Sequence, residues 1–324
     1  MRAFCGQELG NVANFALAQV SAPQPSPGEL CVRIEATALG FVDQLVMRGL
    51  YQQKPPLPFV PGGEIVGIVE TVGEGVAEFT PGQRIAAWQF GGGLAEQASV
   101  KAIHAVPVPD DLPSPKASAI LLDYLTAYYG FFDRGALAPG QTVLVTGASG
   151  GVGSAAVAVA STTSARVIGL ASTPEKQALV SRLGAEMVID YRDGDWREQL
   201  KRAFPQGVDR VFDPVGGSMF QQCFRSLAKH GQHLVVGFAS GDGIPTLPAN
   251  LPLLKSGALV GVDARYLWES DPTRVRTILG ILLNLAAQGK IDPPIAEVFK
   301  LDDVANAFAL LEDPDRIGKI VVVP

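Results

Sequence analysis

A chain of 324 residues, 47% hydrophobic and 18% charged, has material for two folded domains and is not of the disordered class. A net charge of −6 with no basic run argues against a nucleic-acid partner. Three scattered cysteines (Cys5, Cys31 and Cys223) argue against a disulfide framework and fit a reducing cytoplasm. The N-terminal residues show no signal peptide, and no stretch of about 18 uncharged apolar residues predicts a membrane span.

Residues 1–123 read as strand-rich. Residues 29–38, 65–72, 82–86 and 94–100 are apolar or alternating runs, punctuated by many prolines and glycines, which predicts a twisted β domain with little helix. Residues 41–48 are the exception, a short helix with Asp43 near its start. Two loops carry candidate chemistry. Tyr51, in a Pro-held loop, is either a donor to a carbonyl oxygen or a packed aromatic. Glu64, between two glycines and an apolar strand, either orients a group in a cleft or caps a turn.

Residues 115–132 predict one or two helices whose tyrosines (124, 128, 129) serve the core, with Thr126 and Tyr128 as candidates for a cleft edge. Residues 141–160, QTVLVTGASGGVGSAAVAVA, then combine a buried strand, a tight glycine turn and a helix start. A helix start offers free N–H groups and the positive end of its dipole, and glycines let the backbone approach a pyrophosphate. Gly150 and Gly153 take the second and third places of the dinucleotide fingerprint, with Ala148 at the first.

A second strand at residues 166–171 is followed by Ser172-Thr173-Pro174-Glu175-Lys176. Thr173 with Pro174 makes a helix start, and Ser172 with Glu175 a competing capping box. An NAD-selective protein places a carboxylate at the end of this strand. Ser172 and Lys176 instead suit a 2′-phosphate, which predicts NADP over NAD. Strands at 186–190, 208–213 and 231–238 alternate with helices, which predicts a parallel sheet covered on both faces. Ligands bind beyond the carboxyl ends of such strands, so residues 146–153, Ser172, Tyr191, 213–217 and 237–240, with Gly237 and Phe238, are expected around one crevice.

Residues 245–261 are apolar and Pro-broken, suited to a dimer contact or to the nicotinamide side. Residues 272–287 and 301–311 predict helices, and 297–301 and 319–323 strands. This tail is expected to fold back onto the first β domain. Arg316 either reaches a phosphate or pairs with a surface carboxylate.

Taken together, the stretches 49–51, 58–64, 125–129, 143–153, 183–191, 213–217 and 316–321 resemble the zinc-independent medium-chain dehydrogenase/reductase superfamily, in its NADPH:quinone oxidoreductase branch. The resemblance covers essentially the whole chain. It implies an α/β architecture: a GroES-like, mostly-β catalytic domain (residues 1–124, returning at 263–324) and a Rossmann NADP-binding domain (125–262), usually in a homodimer. It implies that Lys176, Tyr191 and Arg316 surround the 2′-phosphate, that Gly151, Val152 and Gly153 hold the pyrophosphate, that Thr126 lies near the nicotinamide, and that Tyr51 is a proton or hydrogen-bond donor.

Two departures matter. Zinc-dependent alcohol dehydrogenases carry a Cys near the segment of Phe41, Val42 and Asp43, and a His just before Glu64. Here the latter is Gly63, and three cysteines cannot build a four-cysteine structural site. His104, His230 and His233 are read as non-ligands. Many quinone reductases of this kind also carry an Asn where this chain has Gly40. The reaction expected is hydride transfer from NADPH to a quinone or other conjugated acceptor, with Tyr51 meeting the charge that develops on the carbonyl oxygen. The alternatives are reduction of enoyl thioesters, alkenals or enones, and a non-catalytic NADPH-binding or RNA-binding role.

Overall fold

A computed structural model describes all 324 residues. The chain forms two compact units, Met1–Leu122 with Leu267–Pro324, and Asp123–Tyr266. Its strands in chain order are β1 (Arg2–Gly6), β2 (Phe15–Gln19), β3 (Glu29–Leu39), β4 (Glu64–Val72), β5 (Arg84–Trp88), β6 (Gln97–Lys101), β7 (Ala105–Pro107), β8 (Thr142–Val145), β9 (Arg166–Leu170), β10 (Met187–Ile189), β11 (Val208–Asp213), β12 (Leu227–Val235), β13 (Ala258–Gly261), β14 (Ile295–Lys300) and β15 (Lys319–Val323).

In the first unit β3 is the organising strand. It pairs antiparallel with β4, with β6 and, near its end, with β15, where Val321 sits opposite Ala38. The C-terminal tail is thus sewn into the N-terminal sheet, in the order β14-β15-β3-β4-β5-β7. Read from its alternation, β3 is a half-buried strand. In the structure its last four residues, Ala36 to Leu39, are all buried. Ala36 and Ala38 meet Val321 on one face, and Leu39 joins Phe4, Met47, Phe308 and Ile320 on the other. Small residues suit the first contact because they let two elements approach closely. The helix Val304–Leu311 buries Val304, Ala307 and Phe308, the stripe its periodicity predicts.

The second unit is a six-stranded parallel sheet in the order β10-β9-β8-β11-β12-β13. The chain starts in the middle, moves outward to β10, then returns to β8's other side with β11. That reversal creates a switch point between β8 and β11, where the loops leave in opposite directions, the place at which ligands bind in open sheets of this kind. Val143, Leu144 and Val145 are fully buried, as are Ile168, Val211 and Phe212. Strands covered on both faces read as such continuous apolar runs, and burying each of these large side chains contributes about 1.5–3 kcal/mol.

Residues 115–132 form the two helices Ser114–Ser118 and Asp123–Tyr128, the second running on through a wider π-turn over Tyr129–Arg134. Residues 245–261, read as merely Pro-broken, contain the short helix Asn250–Lys255 and the edge strand β13. No helix is long and apolar enough to cross a membrane.

Candidate functional site

The glycine turn follows β8 directly. Gly147 takes the left-handed conformation, with φ +54°. Ala148, read as the first fingerprint position, is not the residue that needs that freedom. It is buried against β9, where a Cβ added to Gly169 would stand 3.0 Å from its own. Gly150, in extended conformation, precedes the helix Gly151–Ser161. The first N–H groups of that helix have no carbonyl one turn back to receive them. Gly153 is required by close approach, since a Cβ there would lie 2.0 Å from the Gly147 carbonyl oxygen. At Gly151 a Cβ would lie 2.4 Å from the Asp123 carboxylate. Val152 is half-buried between them.

Thr173 settles the competing helix starts at the end of β9. Its hydroxyl accepts from the Lys176 N–H at 3.4 Å, with Pro174 as the first helical residue. Ser172 is therefore not the cap, and it lies buried beside the strand end. Lys176 is buried too, unlike a solvated helix lysine. Tyr191 is partly exposed one strand farther out. Next to it stands a residue that the sequence pattern does not single out. Arg192 pairs with Asp190 and also donates to the Ser172 carbonyl.

Asp213, at the end of β11, ties the turns together. Its Oδ1 accepts from the Thr146 hydroxyl (2.6 Å) and from the N–H groups of Val215 (3.0 Å) and Gly216 (2.9 Å). Its Oδ2 lies 3.0 Å from His233 Nε2. Burial works to raise the Asp213 pKa, but the bond and charge of His233, with Thr146 and Gly216, hold it below its ordinary value. Gly216 and Gly217 are both left-handed. Their turn packs on the next one: the Ala239 N–H donates to the Pro214 carbonyl, and a Cβ on Gly216 would lie 3.0 Å from the Phe238 ring. Gly237 approaches the Pro214 carbonyl in the same way.

The glycine turn, Ser172, Lys176, Tyr191, residues 213–217, Gly237 and Phe238 therefore share the carboxyl edge of one sheet. Thr126 is buried on the helix Asp123–Tyr128, which packs on the helix Gly151–Ser161. Tyr51 and Arg316 belong to the other unit.

In that unit Glu64 neither caps a turn nor faces solvent. It opens β4, forms a buried ion pair with Lys319 Nζ at 2.6 Å, and accepts from the Leu122 N–H at 2.9 Å. Asp43 accepts from the N–H groups of Gly40 (2.8 Å) and Gly62 (3.1 Å). Burial pushes its pKa up, against those N–H groups and the Lys319 charge. A side chain at Gly40 would enter a space lined by Lys319 Nζ, the Glu64 carboxylate and the Asp43 carboxylate, each 3.5–3.8 Å from its Cβ. The adjoining pocket is walled by Val42, Phe59, Trp88 and Phe90. The Tyr51 ring packs on Phe90, with centroids 5.5 Å apart. Arg316 donates to the Gly318 carbonyl just before β15. Nowhere do three His, Cys, Asp or Glu side chains gather as a metal site.

With this geometry in place, the similarities to known proteins fall into line. A family model described as alcohol dehydrogenase GroES-like domain matches residues 26–110, and one described as zinc-binding dehydrogenase matches residues 151–279. The chain is 37% identical over 295 residues to a quinone oxidoreductase-like protein 2 homolog of Nematostella vectensis, covering 90% of this chain and 80% of that protein. It is 34% identical over 321 residues to the human synaptic vesicle membrane protein VAT-1 homolog, covering 93% and 80%. Among solved structures, the quinone oxidoreductase from Thermus thermophilus, described with its NADPH complex, superimposes with a TM-score of 0.86 at 32% identity, over all of both chains. The chain belongs to the medium-chain dehydrogenase/reductase superfamily, among its quinone-oxidoreductase-like members.

Proposed function

We propose that the chain is an NADPH-dependent reductase that passes hydride to a quinone or another conjugated carbonyl acceptor without a metal. One observation carries the cofactor choice. The residues at the end of β9 are Ser172 and the buried Lys176, a hydroxyl and a cation where an NAD-selective site has a carboxylate. The NADPH named with the Thermus relative supports the same reading.

The residues fit that cofactor. The N–H groups of Gly151, Val152 and Gly153 would hold the pyrophosphate, which the absence of a Cβ atom at Gly150 lets approach, while Gly153 lets the helix start close on the Gly147 carbonyl. Ser172, Lys176, Tyr191 and Arg316 would receive the 2′-phosphate, and Thr126, Gly237 and Phe238 would border the nicotinamide. Bound NADPH supplies the hydride. The chain's part is to hold donor and acceptor in line and to meet the charge that develops on the acceptor oxygen. Tyr51 is the proposed donor for that oxygen. A phenol ordinarily titrates at about pH 10 and so carries its proton at neutral pH.

The chain is further proposed to form a homodimer through β13, the last strand of its sheet. Leu259 on it is 46% exposed, and Leu253 just before it is 78% exposed. An apolar sheet edge of this kind is a natural place for a second copy. A cytoplasmic location suits its three free thiols.

The test is oxidation of NADPH by the purified protein, with and without EDTA, against quinones, enones, alkenals and enoyl thioesters. EDTA-insensitive turnover that is fastest with quinones supports this reading. Fast enone or enoyl reduction with negligible quinone turnover would move the assignment to a double-bond reductase, the reading that Gly40 favours by withholding an amide from the pocket. NADPH binding without turnover of any acceptor would overturn the enzymatic assignment.

A further inference from the structure

We infer that Arg192 sets the choice of cofactor, by masking a carboxylate that would otherwise select NAD. The inference rests on the NADPH reading and names a residue that the reading itself does not use.

Asp190 follows β10 directly, and β10 lies beside β9. Ile189 pairs with Leu170, and the Ala171 N–H donates to the Ile189 carbonyl at 3.1 Å, so Asp190 stands level with Ala171, one residue before Ser172, at the sheet's carboxyl edge. The end of β9 therefore does have an acid beside it, contributed by the neighbouring strand. Arg192 covers that acid. Its Nε lies 3.0 and 3.2 Å from the two Asp190 oxygens, and its Nη2 lies 2.6 Å from Oδ2. The backbone N–H of Arg192 donates to Oδ1 at 2.9 Å. The same Nη2 also donates to the Ser172 carbonyl. The guanidinium thus bridges the two strand ends, and Nη1 takes part in none of these bonds.

The charges give the direction of the effect. Asp190, Arg192 and Lys176 together carry a net +1. Without Arg192 they carry zero, with the carboxylate uncovered. A bare carboxylate at this edge accepts a ribose hydroxyl and repels a phosphate. A guanidinium already fixed by its carboxylate presents its remaining N–H groups with little further loss of side-chain freedom. Arg192 therefore acts twice, as a second cation for the 2′-phosphate beside Lys176 and as the neutraliser of Asp190.

The experiment measures dissociation constants by calorimetry for 2′,5′-ADP and 5′-AMP, probes that differ by the 2′-phosphate, alongside steady-state constants for NADPH and NADH. The expectation for Arg192→Ala is a loss of about tenfold or more in 2′,5′-ADP affinity, with 5′-AMP affinity little changed and NADH use maintained or improved. Adding Asp190→Ser should restore part of the lost 2′,5′-ADP affinity, because the repelling charge is gone although the cation is still missing. Arg192→Gln serves as a milder replacement if the alanine variant melts early. Unchanged 2′,5′-ADP affinity in the Arg192 variants would overturn the role of Arg192. A double variant no better than Arg192→Ala would overturn the masking of Asp190. A wild-type protein that binds neither NADPH nor 2′,5′-ADP would instead overturn the cofactor reading beneath it.

Discussion

His233 Nε2 lies 3.0 Å from the Asp213 carboxylate, both side chains are fully buried, and the histidine ring packs on Phe220 and Phe224. The other oxygen of Asp213 holds Thr146 and the 215–216 turn, so one buried carboxylate joins β12 to the residue just before the glycine turn. Removing a donor leaves part of that carboxylate unsatisfied where no water can replace it. His233→Phe keeps the aromatic packing and should cost about 2–4 kcal/mol in urea unfolding. Thr146→Val should cost about 1–2 kcal/mol. Both should weaken NADPH binding, and His233→Gln should recover part of the loss. An unchanged midpoint in His233→Phe would show that the bond does not hold the turns.

Lys319 and Glu64 make a second buried pair, 2.6 Å apart. Such pairs contribute little against apolar replacements, yet breaking one partner strands the other charge. Lys319→Met should cost about 3–5 kcal/mol, and adding Glu64→Leu should recover more than half of it. Denaturant titration of the single and double variants checks this. A single variant within about 1 kcal/mol of wild type would contradict it.

Gly153 and Gly150 should answer differently to alanine. At Gly153 the new Cβ meets the Gly147 carbonyl at 2.0 Å, whereas at Gly150 it meets the same oxygen at 3.3 Å. Gly153→Ala must therefore displace the turn. It is expected to cost about 2–4 kcal/mol and most of the cofactor affinity, while Gly150→Ala stays within about 1 kcal/mol of wild type. Thermal melts with and without NADPH separate the two effects.

His104 stacks on Trp268 with ring centroids 4.2 Å apart. Burial, helped by the Lys101 charge, lowers its pKa from 6.5 to about 4. The unfolded chain takes up a proton below about pH 6.5 that the folded protein refuses until about pH 4. Stability from this group is thus complete above pH 6.5 and falls as the pH drops toward 4, by about 2–3 kcal/mol in all. His104→Gln should flatten that part of the stability profile. A wild-type midpoint equal at pH 7 and pH 4.5, with no difference from the variant, would contradict the assignment.

The parts of this molecule written in local pattern are legible in the sequence. The strand, turn and helix of 142–161 lie end to end, so spacing alone specifies them. Thr173 and Pro174 mark a helix start, and the Val304, Ala307 and Phe308 stripe marks a buried face. The left-handed residue of the turn is Gly147, one place before the first fingerprint position at Ala148, and only the backbone shows it. Glu64 with Lys319 and Asp213 with His233 are not legible. Their partners come from distant strands and leave no periodic trace. Arg192 does have a local signal, in the sequence Asp190-Tyr191-Arg192. It is hidden because Lys176 already supplies the cation expected at the end of β9. The short strands β1 and β2 are equally hard to read; they form a two-stranded sheet of their own, tied to the rest by single bridges from Ala3 to Ala95 and from Gly6 to Phe59, and their propensity is too weak to mark them.

On this reading the chain is built for NADPH and a conjugated acceptor. The most direct test is the ratio of kcat/KM for NADPH to that for NADH, measured with a small para-quinone in the presence of EDTA. The expected result is quinone-dependent turnover with NADPH favoured by about tenfold or more, the worth of one charge-assisted phosphate contact. Equal use of the two cofactors, or a preference for NADH, would contradict the reading of Ser172 and Lys176. Absence of quinone-dependent turnover with either cofactor would contradict the reaction itself.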